Sequence, residues 1–186
     1  MRINKSATLL AALFVAASLS TVSPASAASL AVADVPGDVL RIVEVGTDAM
    51  GADSVANRNR EFVRFQNVSG APVDVAGVLV EDNWAHSKTL ADVAHSCNTY
   101  KIVDLPSNPT TMVAPGEVVT VFNGIRWGGN YKVGSEYRLY ANSDPDCGTN
   151  GQFFNNDNDA VYVTKGDGTV QSSWSWEHNG GYAFKP

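Results

Sequence analysis

The chain has 186 residues, 17% charged and 44% hydrophobic, which excludes a disordered chain and fits one domain with a real core rather than two. Its formal net charge of −6 becomes −8 once Arg2 and Lys5 leave with an N-terminal leader. That argues against a protein that lives on nucleic-acid phosphates or anionic lipid.

The leader is read from three features in order. Met1–Lys5 carries two cations, Ala7–Leu19 is uncharged and apolar, and Ala25-Ser26-Ala27 presents the small residues that signal peptidase requires. The apolar run is too short for a permanent membrane anchor. We therefore expect a signal peptide over 1–27, a linker over 28–37, one domain over 38–176 and a C-terminal tail over 177–186. The mature product is expected to be secreted, with no membrane insertion. After residue 27 the chain has 22 Val and 6 Leu, a ratio that suits pleated sheets better than helical bundles.

The strand signals follow one another at short intervals. Leu40–Val45 is the first, followed by a polar loop over 46–59. In Glu61–Asn67 apolar and polar residues alternate, with Val63 and Phe65 on one face and Arg64 and Gln66 on the other. Val73–Val80 reads as one continuous strand ending at Glu81-Asp82. Residues 83–99 read as irregular, with room for a helical turn around Thr89–Ala94. Tyr100–Leu105, Glu117–Phe122, Tyr137–Tyr140, Ala160–Thr164 and Thr169–Trp176 complete the set. Ala114-Pro115-Gly116 and Gly166-Asp167-Gly168 supply turns. The pattern predicts an all-β, immunoglobulin-like β-sandwich of about eight short strands, with no helix of ten residues or more.

The two cysteines, Cys97 and Cys147, read as one disulfide in an exported protein. Zinc is disfavoured because neither Cys-x-x-Cys nor His-x-x-x-His occurs.

Four segments, in order, resemble the lamin tail domain family. Ile42–Val45 with Glu61–Asn67 is similar to its Glu-aromatic-Val strand. Ala71-Pro72-Val73-Asp74 through Asp82 is similar to its Pro-Val-Asp segment, with Val78 where the family usually has Trp. Val113–Val121 carries the Pro-Gly turn and strand. Phe154–Val163 resembles its Trp-Asn-Asn-x-Gly-Asp segment, with Asn158 in place of Gly. The resemblance covers roughly residues 38–176. It implies an immunoglobulin-like sandwich that serves as a noncatalytic interaction module, for which a protein or a cell-envelope glycan is the expected partner class. Beside the resemblance, the aromatic residues in polar loops suggest a glycan- or cell-wall-binding module as the alternative, and a small secreted hydrolase is a third reading.

Catalytic motifs are sparse. Asp82, His86 and Ser87 could suggest a triad, but no Gly-x-Ser-x-Gly elbow accompanies them. The scattered acids Asp48, Asp53, Glu61 and Glu81 define no carboxylate pair. We expect no catalytic residue, no bound metal and no cofactor. Asn67-Val68-Ser69 has the form of a glycosylation sequon, which a strand-ending turn explains. Trp84, Trp127 and Tyr131 lie in polar loops and are the candidate partner-binding residues. Asn155, Asn156, Asp157 and Asp159 are expected to form a structural turn, with a weak calcium site as the alternative.

Overall fold

The computed structural model describes residues 38–47, 54–88, 98–142, 151–154, 158–177 and 183–184. The signal peptide, the linker, Cys97, Cys147, the Thr89–Ala94 turn and Asn155–Asp157 lie outside the described residues.

The protein is an all-β sandwich. Its larger sheet has six strands. In sheet order they are β12 (Ala183–Phe184), β1 (Leu40–Gly46), β2 (Phe62–Asn67), β7 (Val118–Phe122), β9 (Glu136–Tyr140) and β8 (Tyr131–Val133). The smaller sheet runs β11 (Val170–Glu177), β10 (Asn158–Thr164), β4 (Leu79–Asp82) and β5 (Thr99–Lys101). A two-stranded ribbon joins β3 (Val73–Asp74) to β6 (Met112–Val113). Among the described residues all strand pairings are antiparallel except β7 with β9. The only α-helical element among the described residues is α1 (Asn83–His86), and no helix among them is long and apolar enough to cross a membrane.

Alternation decides which side chains enter the core. In β2, Val63 and Phe65 are fully buried while Arg64 and Gln66 face outward, as the period of two requires. In the larger sheet Leu40, Ile42, Val119, Val121 and Leu139 join them; Val80, Val161, Val163 and Trp176 answer from the smaller sheet. Each such aliphatic side chain contributes roughly 1.5–3 kcal/mol on burial. The sheets are also tied by a polar bond: the Ile42 N–H donates to Ser172 Oγ at 3.1 Å.

Three differences from the sequence reading have local causes. Val73–Val80 is not one strand. Asp74 Oδ1 accepts from the Ala76 N–H, Val78 N–H turns back to the Val75 carbonyl, and Gly77 sits at φ 77°. This turn divides the segment into β3 and β4. Tyr131–Val133 was read as loop but adds β8 at the sheet edge by pairing with β9. Ala183–Phe184, in the stretch expected to be a tail, pairs with Val45 and Gly46 of β1.

Candidate functional site

The outer face of the larger sheet carries a row of rings. Phe62, Phe122 and Tyr140 occupy one register line across β2, β7 and β9. Their ring centres are 5.7 Å apart for Phe62–Phe122 and 5.1 Å for Phe122–Tyr140. Tyr131 of β8 extends the row, 6.4 Å from Tyr140. These rings are half-buried, an arrangement that favours offset stacking.

The loop from Gly124 to Asn130 closes over the end of this row. Its ends are fixed by hydrogen bonds. Asn142 N–H donates to the Gly124 carbonyl at 3.0 Å, Asn59 Nδ2 donates to the Ile125 carbonyl at 2.8 Å, and Tyr140 N–H donates to Asn130 Oδ1 at 2.9 Å. At the tip, Gly129 N–H reaches back to the Arg126 carbonyl at 3.0 Å, and Gly128 has φ 91°. A turn with positive φ at its third residue selects Gly there. Trp127 takes the second corner and projects into solvent, 96% exposed.

Trp127 borders a cleft of about 410 Å³. It is lined by the Ile125–Asn130 loop together with Tyr140 and Asn142. Arg126 supplies its cation. The guanidinium carbon stands 4.0 Å from the Tyr131 ring centre, and Nη1 donates to the Gly129 carbonyl at 3.3 Å. No carboxylate among the described residues pairs with it. Arg138, by contrast, is paired with Glu136 and also donates to the Tyr131 hydroxyl at 2.9 Å. That bond, above all, holds the Tyr131 phenol below its ordinary value, while burial and Tyr131 push Tyr140 up to about 12.

The three candidate residues therefore divide. Trp127 and Tyr131 flank Arg126 in one region, but Trp84 is not part of the cleft. It belongs to α1, 43% exposed, with Lys88 Nζ 5.3 Å from its ring centre. Tyr140 and Arg126 were missed as site residues. The alternation of Tyr137–Tyr140 could have placed Tyr140 on the outer face.

The polar cluster around α1 is held by local contacts. Asp82 Oδ1 accepts from the Ala85 N–H at 2.6 Å and so caps the helix. His86 Nδ1 meets Glu81 Oε2 at 3.1 Å, and its ring stacks on Tyr162. Ser87 Oγ donates to the Trp84 carbonyl. Asp82, His86 and Ser87 thus have separate partners and form no triad. Asp159 accepts the Ala160 N–H at 2.8 Å and the Asn83 N–H at 3.3 Å. No group of three or more metal-ligating side chains occurs among the described residues. Burial, with the nearby Asp159 charge adding to it, pushes the Asp82 carboxyl up to about 6 against the hydrogen bonds it accepts.

No protein-family model matches the chain, and no curated protein matches it in a sequence search.

Proposed function

We propose that the protein is a secreted, noncatalytic binding module of the lamin tail domain type, with an immunoglobulin-like sandwich as scaffold and its binding site in the Trp127 cleft. Support comes from the all-β sandwich, the fold that the sequence resemblance implies, and from the leader-like N-terminus. The observation that carries the reading is Trp127 itself. An indole that is 96% exposed on an ordered turn bordering a 410 Å³ cleft adds nothing to the core, whereas aromatic rings at concave surfaces anchor ligands. The reading needs no catalytic residue and no cofactor, with a weak calcium site at Asn155–Asp159 as the alternative. The proposed bridge between Cys97 and Cys147 would fasten the loops that contain them. The proposed partner is a component of the cell envelope, protein or glycan, with nucleic acid disfavoured by the acidic chain.

Cosedimentation with the insoluble envelope of the producing culture tests this. The unmutated protein is expected to pellet and Trp127→Ala to stay in solution. Equal pelleting of both, or of neither, contradicts the proposal.

A further inference from the structure

The chemistry of the cleft names a class of ligand, an inference that rests on the cleft being the binding site. Two groups at its mouth make different demands. Trp127 offers a flat apolar face open to solvent, suited to the C–H face of a sugar ring. Arg126 offers a guanidinium stacked on Tyr131, with one of its N–H groups on the Gly129 carbonyl. The remaining donors have no carboxylate among the described residues. A planar guanidinium in this state matches a carboxylate in a two-pronged bond. Among the described residues the lining contains no acidic side chain; Asn130 and Asn142 supply amides suited to hydroxyl groups. The acidity of the chain disfavours a ligand that needs many cations along its length, as nucleic-acid phosphates do, but bears less on one carboxylate held by Arg126, because charges beyond about 8 Å are largely screened at physiological salt.

We propose that the cleft takes a uronic-acid-containing saccharide, its ring on Trp127 and its carboxylate on Arg126. Tyr140 also lines the cleft, and the row from Tyr140 through Phe122 to Phe62 continues the aromatic surface away from it. A chain longer than one sugar then has somewhere to lie.

Calorimetric titration of the protein with hexagalacturonate, maltohexaose and hexaglutamate tests the proposal. Heat of binding is expected with hexagalacturonate alone. Arg126→Gln and Trp127→Ala should each weaken it tenfold or more at an unchanged melting temperature. Maltohexaose bound as tightly as hexagalacturonate, or hexaglutamate bound more tightly, overturns the uronate assignment; the second result would make the ligand an acidic peptide. Absence of heat with hexagalacturonate overturns it too. If Trp127-dependent pelleting with envelope persists in that case, the cleft remains the binding site for another ligand. If pelleting is also lost, both readings fall.

Discussion

The guanidinium carbon of Arg126 lies 4.0 Å from the centre of the Tyr131 ring. The hydroxyl of the same ring accepts from Arg138 Nη1 at 2.9 Å. One phenol therefore holds two cations, one by its face and one by its oxygen. This ties the exposed loop to the edge strand β8 and fixes Arg126, one of the residues that line the cleft.

The Tyr131 phenol should ionise early. The bond from Arg138, then that from Tyr140, lowers it, and the Arg126 charge acts in the same direction. Burial instead raises Tyr140 to about 12. Alkaline titration followed by phenolate absorbance is expected to lose a component below pH 10 in Tyr131→Phe. In Arg126→Gln that component should move upward. No change in either variant would break the described link between the loop and the strand.

Exposure should separate two aromatic substitutions cleanly. Trp127→Ala removes a ring that is 96% exposed, so stability should change by no more than about 0.5 kcal/mol. Phe65→Ala empties a fully buried site between the sheets and should cost about 3–5 kcal/mol. Denaturant melts of both variants check this. A large loss for Trp127→Ala would mean that the ring belongs to the core.

Asn67 is the polar fastening of the β2 end. It is 1% exposed. Its Nδ2 donates to the carbonyls of Ala71 and Val113, each at 2.8 Å, and its Oδ1 accepts from the N–H and hydroxyl of Ser69. Asn67→Ala leaves two carbonyls and an N–H to find other partners and should cost about 2–3 kcal/mol. With its amide so engaged, Asn67 should also remain unglycosylated in a host that modifies such sequons, as intact mass would show.

Two carboxyls should give stability opposite slopes with pH. Asp82 is raised from 3.8 to about 6, so in that window the folded protein keeps a proton that the unfolded chain releases. Its contribution therefore falls as pH rises from 4 to 6. Asp82→Asn retains a cap for Ala85, and Asn98 Oδ1, which has no hydrogen-bond partner among the described residues, can turn to accept from it. This variant should match the unmutated protein near pH 4 and exceed it at pH 7 by about 1 kcal/mol after discounting for solvent screening.

Glu136 behaves in reverse. Burial pushes its carboxyl up, but the Thr120 hydroxyl, Arg138 and Arg64 together hold it below 4.5. Its contribution is present above pH 4.5 and is lost as pH falls through the folded value. Glu136→Gln should cost about 1 kcal/mol at pH 7 and progressively less in acid. Melts across pH with both variants check the two slopes.

Much of the sandwich is legible in the sequence because alternation is a local signal. Val63, Arg64, Phe65 and Gln66 announce their faces without knowledge of the neighbouring strands. The division of Val73–Val80 was hidden because Val75 and Val78 stay buried through the turn, leaving the apolar run unbroken. Tyr131–Val133 gave no strand signal, since an edge strand of three residues depends on its neighbour β9 for definition. Trp127 was visible as a ring flanked by glycines. The partnership of Arg126 with Tyr131 was not, because it requires the loop to fold back on β8. Nor could Tyr140 be tied to the cleft, since the bonds from Asn142 N–H to the Gly124 carbonyl and from Tyr140 N–H to Asn130 Oδ1 are what bring them together.

The cleft as binding site is tested most directly by the indole N–H signals of the protein's four tryptophans during titration with solubilised envelope fragments. The Trp127 signal is identified by its loss in Trp127→Ala. The account predicts that this signal shifts with added fragments while that of Trp176, which is 5% exposed within the core, stays in place. Bound fragments that leave the Trp127 signal unmoved would contradict it.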